Sequence, residues 1–140
     1  MDVFFYGAFL DQDILKIVFC EPEGREGMAE ATLHGYRRVC VPGETYPYLI
    51  PFPASSVDGL VRLALDETAM ARLLHFEGSD YRLAPVTVEH APKATHTTLM
   101  AFLRAGRQPP VFRPWHIDRW RRFQKRPALT PARAHKKRYR

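Results

Sequence analysis

From Val57 to Leu65 every second residue is apolar or glycine (Val57, Gly59, Val61, Leu63, Leu65), with Asp58 and Arg62 between them. An extended chain points successive side chains to opposite faces, so this period of two predicts a β-strand with one buried face. Such a strand needs partners and a cover for its apolar side. The remaining sequence offers both. Val3 to Tyr6 is a continuous apolar run ending at Gly7, the pattern of a strand buried on both faces. Ala29, Ala31 and Leu33 alternate up to Gly35, and Arg37 to Val41 extends the pairing. Tyr81, Leu83, Val86 and Val88 suggest another strand, where Pro85 requires a bulge or an edge because it has no N–H to donate. Thr95 to Leu103 fits either a helix face or a strand; we assign a strand, because Ala91-Pro92-Lys93 reads as a hairpin tip.

Helices are fewer. Leu10, Ile14, Ile17 and Val18 share one face of a short helix over Leu10 to Phe19, with Asp11 and Asp13 near its positive end. Asp66 is placed to cap a helix from Glu67 to His75, with Met70, Leu73 and Leu74 inward and Gly78-Ser79-Asp80 as its stop. Trp115 to Arg126 reads as a third helix, with Trp120 packed on Phe123. Pro42 to Pro53 holds four prolines among Tyr46, Tyr48 and Phe52, the composition of a rigid segment lying over a pocket or over the core. Strands dominate and the order is mixed rather than βαβ-periodic. The expected fold class is α+β, a small barrel-like sheet.

At 140 residues the chain has the size of one domain. We expect that domain to span 1–126, with a loose basic tail over 127–140 that has little to bury. Charge is divided in the same way. Residues 1–103 carry 8 Lys/Arg against 14 Asp/Glu, whereas residues 104–140 carry 13 against one, Asp118. The basic segment could contact nucleic acid or an acidic partner, or fold back on the acidic body. A solvated helix and tail is the simplest expectation, and nucleic acid is not the expected partner. Cys20 and Cys40 have no CxxC spacing and no nearby histidine pair, so neither a zinc site nor a disulfide framework is expected. The N-terminus lacks the basic start and cleavage site of a signal peptide, and no apolar run is long enough for a membrane span. A cytoplasmic protein without a structural metal is the expectation.

Two junctions can carry chemistry. At Tyr6-Gly7-Ala8-Phe9-Leu10 a buried strand turns directly into a helix, which leaves backbone N–H groups free to hold a carboxylate or phosphate. At His75-Phe76-Glu77-Gly78 a lone carboxylate follows an apolar helix face and precedes a glycine. A carboxyl held among apolar groups has a raised pKa and exchanges its proton near neutrality. Read from the residues alone, each junction also fits plain geometry or a surface carboxylate, and His75 fits a partly exposed helix position. No Ser/His/acid grouping, phosphate-loop pattern or metal-ligand spacing accompanies them.

Four segments in order resemble the γ-glutamylcyclotransferase-like (AIG2-like) superfamily. Tyr6-Gly7-Ala8-Phe9-Leu10 is similar to its N-terminal Tyr-Gly-Ser/Thr-Leu motif, and Leu33-His34-Gly35-Tyr36-Arg37 to its second-strand motif. Tyr46-Pro47 with Val57-Asp58-Gly59-Leu60-Val61 resembles the Tyr-Pro segment and the strand after it. Leu74-His75-Phe76-Glu77-Gly78, followed by Tyr81, Pro85, Val86 and Val88, resembles the Glu-Gly block. The resemblance implies a small mixed β-barrel of about five to seven strands with flanking short helices. It also implies a cofactor-independent reaction in which the α-amine of a γ-glutamyl amine or amino acid attacks its own γ-carbonyl. That step gives 5-oxoproline and a free amine. Glu77 is the implied general acid/base, and Tyr6, Gly7, Ala8, Phe9, Leu10 and Tyr81 are the implied substrate-binding residues. Ala8 and Phe9 depart from the motif; the first loses a hydroxyl and the second narrows the pocket. The alternative is a binding domain that keeps the pocket without turnover.

Overall fold

The computed structural model describes residues 1–19, 28–40, 47–78, 81–90, 95–104, 113–123 and 125. Cys20, the 21–27 turn, Pro42 to Tyr46, Ser79-Asp80, the hairpin tip at Ala91-Pro92-Lys93 and the 127–140 tail lie outside the described residues. Among the described residues, six strands and three α-helices follow in the order β1 (Val3–Phe5), α1 (Gln12–Phe19), β2 (Met28–Cys40), β3 (Tyr48–Arg62), α2 (Glu67–Glu77), β4 (Tyr81–His90), β5 (Thr95–Arg104), β6 (Arg113–Pro114) and α3 (Ile117–Phe123). A single 3-10 turn, Ala8–Leu10, joins β1 to α1. No described helix is long and apolar enough to cross a membrane.

The strands close on themselves. β1 pairs antiparallel with β3 and parallel with β5, β5 with β4, β4 with β2, and β2 back with β3, while β6 adds to the far end of β2. The result is a small mixed barrel, as the sequence suggested. Alternation along each strand sorts the core into two parts. Phe4, Ala31, Leu33, Val57, Val61, Val86, Val88, Leu99 and Ala101 fill the ring. Val3, Phe5 and Phe102 point outward, where Phe9, Ile14, Phe19, Leu73, Trp115 and Trp120 cover them. Strand β1 therefore buries both faces, which is what its continuous apolar run required.

Several expectations need correction. The proline-rich stretch is no separate strap from Tyr48 onward, because 48–53 belongs to β3. Opposite the Gly35 irregularity, β2 advances from His34 to Tyr36 while β3 advances from Pro51 to Ser56. Pro53 falls in this unpaired stretch, where a missing N–H costs no ladder bond. The Val57–Leu65 pattern also overruns its strand: β3 ends at Arg62 and Ala64 turns through a positive φ of 56°. Leu63 consequently ends 56% exposed, against its predicted inward position. Leu74 on α2 and Phe123 on α3 are likewise exposed, so Phe123 does not share Trp120's buried position. Pro85 sits as expected: β4 pairs with β2 only at its last two residues, leaving that edge unpaired around Pro85.

Candidate active-site pocket

Three pieces of chain converge at one end of the barrel. The first is the segment after β1. Gly7 leads into the 3-10 turn, where the Leu10 N–H donates to the Gly7 carbonyl at 2.9 Å and the Asp11 N–H to the Ala8 carbonyl at 2.9 Å. A Cβ on Gly7 would lie 3.0 Å from Cγ of Pro47, so any larger residue would push Pro47 back by a few tenths of an ångström. Arg38 of β2 donates to the Tyr6 carbonyl at 2.9 Å and to the Asp58 carbonyl at 3.3 Å, fixing where the segment leaves the sheet.

The second piece is the end of α2. Asp66 caps its start, accepting from the Ala69 N–H at 2.8 Å. Gly78 ends it with φ +76°, a left-handed value that only glycine adopts readily, and donates back to the Leu74 carbonyl at 3.1 Å. Glu77 is thus the last helical residue. Phe76 stands edge-on to Phe9 with centroids 5.3 Å apart, and Phe9 lies 4.9 Å from Phe5. This aromatic row holds the end of α2 against the 3-10 turn.

The third piece is Tyr81 at the start of β4, whose hydroxyl donates to the Pro47 carbonyl at 3.1 Å. Between the three lies a pocket with an enclosed volume of about 60 Å³ that opens to solvent on one side. Its lining consists of Tyr6, Gly7, Ala8, Phe9, Glu77 and Tyr81, together with Phe4, Phe5, Pro47, Phe76 and Phe102. Of the implied site residues, six of the seven line this pocket together. Leu10 does not; it borders a separate groove beside Arg121. His75 is exposed and outside the lining. Sequence reasoning missed Phe102, which β5 delivers from the other end of the chain, and Arg38, which carried no local signal.

The walls govern the electrostatics. Although Glu77 keeps some surface as a residue, burial of its carboxyl pushes the pKa up to about 8. Tyr6 donates a hydrogen bond to the Phe102 carbonyl. Burial holds its phenol well above the usual value, and the neighbouring Glu77 and Tyr81 charges add to that. Tyr6 therefore stays neutral while Glu77 titrates near neutrality.

A family model described as "Gamma-glutamyl cyclotransferase, AIG2-like" matches residues 3–122. AIG2-like protein A of Arabidopsis thaliana is 28% identical over 129 residues, covering 89% of this chain and 74% of its own. Protein AIG2 B of the same plant is 25% identical over 124 residues, with 87% and 71% covered. Among solved structures, an Arabidopsis thaliana solution structure superposes with a TM-score of 0.69 at 24% identity, covering 92% of this chain and 85% of that one. A structure titled gamma-glutamyl cyclotransferase superposes at 0.57 and 15% identity, with 77% and 68% covered. At these identities the structural likenesses speak for the fold.

Proposed function

This chain belongs to the gamma-glutamyl cyclotransferase, AIG2-like family, and on that premise we propose that it cyclises a γ-glutamyl amine or γ-glutamyl amino acid to 5-oxoproline, releasing the free amine. The observation that carries the reading is a single carboxyl, its pKa pushed up to about 8 by burial, set in an apolar pocket beside the 3-10 turn. The substrate's α-carboxylate is placed at the Gly7–Phe9 backbone, whose N–H groups are not used in closing the turn. Its α-amine then faces Glu77.

Proton movement follows from charge. The incoming ammonium favours the ionised form of Glu77, lowering its proton affinity as substrate binds. Glu77 accepts a proton from the ammonium, and the freed amine nitrogen attacks the γ-carbonyl carbon. As the tetrahedral intermediate collapses, Glu77 returns that proton to the departing nitrogen, breaking the γ-amide C–N bond. The ring nitrogen then gives up its second proton, through Glu77, to the released amine, leaving the lactam N–H of 5-oxoproline and an ammonium. Holding the substrate folded supplies the larger share of the acceleration, since aligned intramolecular attack reaches effective molarities of roughly 10⁵–10⁸ M. One well-placed acid/base adds about 10²–10⁴-fold.

The lining also bears on the leaving group. It contains no Lys, Arg or His, so a second carboxylate there would meet aromatic walls and Glu77 with no counter-ion among the described residues. Leaving groups without a carboxylate are therefore expected to be preferred. Incubation with γ-glutamyl alkylamines, γ-glutamyl amino acids and glutathione, with 5-oxoproline measured, tests the reading. Product from none of them would overturn it; ligand-dependent thermal stabilisation without product would instead indicate a binding domain.

A further inference from the structure

Asp11 is the one charged residue among those described that is buried as a whole, at 2% exposure. A carboxylate taken out of water is costly unless every oxygen finds partners, and here each does. Oδ1 accepts the N–H groups of Asp13 at 3.0 Å and Ile14 at 3.4 Å, capping α1. Oδ2 accepts from Nε of Arg121 at 3.0 Å and lies 3.1 Å from Nζ of Lys125. Burial pushes this carboxyl up, but the bonds from Arg121 and Lys125 outweigh that and hold it below the ordinary carboxylate range. Arg121 also reaches the Leu10 carbonyl at 3.5 Å, and Lys125 pairs with Asp13 at 2.6 Å.

Asp11 does more than cap. Its own N–H closes the 3-10 turn on the Ala8 carbonyl, so its position sets the shape of Ala8–Leu10. One guanidinium on α3 thus grips the turn at its last carbonyl and at the residue that shuts it, from 110 positions away in sequence. We infer that Arg121 is a positioning residue for the substrate-binding turn, acting through Asp11, and that α3 belongs to the binding apparatus. The inference rests on the cyclotransferase reading for its effect on substrate, but not for its effect on the turn.

Arg121→Ala leaves Lys125 in place, so Asp11 keeps a cation and the fold is retained. Arg121→Lys preserves the charge without the planar fork that spans both acceptors. Two measurements on the full chain decide the matter. In hydrogen exchange, Arg121→Ala accelerates the Leu10 and Asp11 amides while the β4–β5 hairpin is unchanged, with Arg121→Lys intermediate. In kinetics, KM rises on the order of tenfold with kcat within about twofold, the signature of lost ground-state positioning. Unchanged exchange at the turn, acceleration spread over the whole chain, or a fall in kcat at constant KM would each overturn the inference. If the wild-type chain forms no 5-oxoproline, the cyclotransferase reading fails and the exchange measurement alone settles the role of Arg121.

Discussion

Glu77 moves from the ordinary 4.5 to about 8 because folding buries its carboxyl. The folded state thus holds a proton that the unfolded chain releases, and stability falls as pH rises from about 4.5 to about 8. Glu77→Gln stays neutral at every pH and escapes that penalty. The variant is expected to be more stable than wild type by about 1–3 kcal/mol at pH 9, discounted for the side of the pocket open to water, and equal to it near pH 4.5. Chemical denaturation at the two pH values measures this. Equal stability at both would place the carboxyl in solvent. A 13C NMR titration of the side chain is expected to give a midpoint near 8; a midpoint near 4.5 would refute the burial argument.

At the scale of elements, the site depends on how α2 stops and how the β1 turn starts. Gly78→Ala forces a side chain into a left-handed backbone, at a cost of roughly 1–3 kcal/mol, and is expected to lower kcat by displacing Glu77. Asp66→Ala removes the cap at the distant end of the helix. It should cost about 1 kcal/mol in stability while leaving kcat alone. Comparing kcat for the two variants separates site geometry from helix stability. These termini were legible in sequence, because Asp66 and Gly78 act through local backbone chemistry. Strand alternation was legible for the same reason, whereas Leu63, Leu74 and Phe123 were misplaced inward because periodicity does not reveal where an element ends or which face finds a partner. Phe102 and the grips of Arg38 and Arg121 were not legible at all, since each joins residues that only the closed barrel brings together.

Across the whole molecule, ring closure places β1 and β5 side by side, and with them the turn after β1 and Phe102. The charge division of the sequence has a structural counterpart. Arg121 and Lys125 of the basic segment fold back on Asp11 and Asp13 of the acidic body. Trp120, 1% exposed, anchors α3 to the outer core, and Trp120→Ala is expected to cost about 3–5 kcal/mol in thermal or chemical unfolding. A loss below 1 kcal/mol would mean that α3 is only loosely held. The account as a whole turns on whether the pocket's carboxyl moves a proton during cyclisation. The most direct measurement is kcat/KM for 5-oxoproline release against pH, in wild type and Glu77→Gln. The predicted result is a wild-type limb rising through about pH 8 and a variant at least ~10²-fold slower with that limb gone; a variant as fast as wild type, with the same pH dependence, would contradict it.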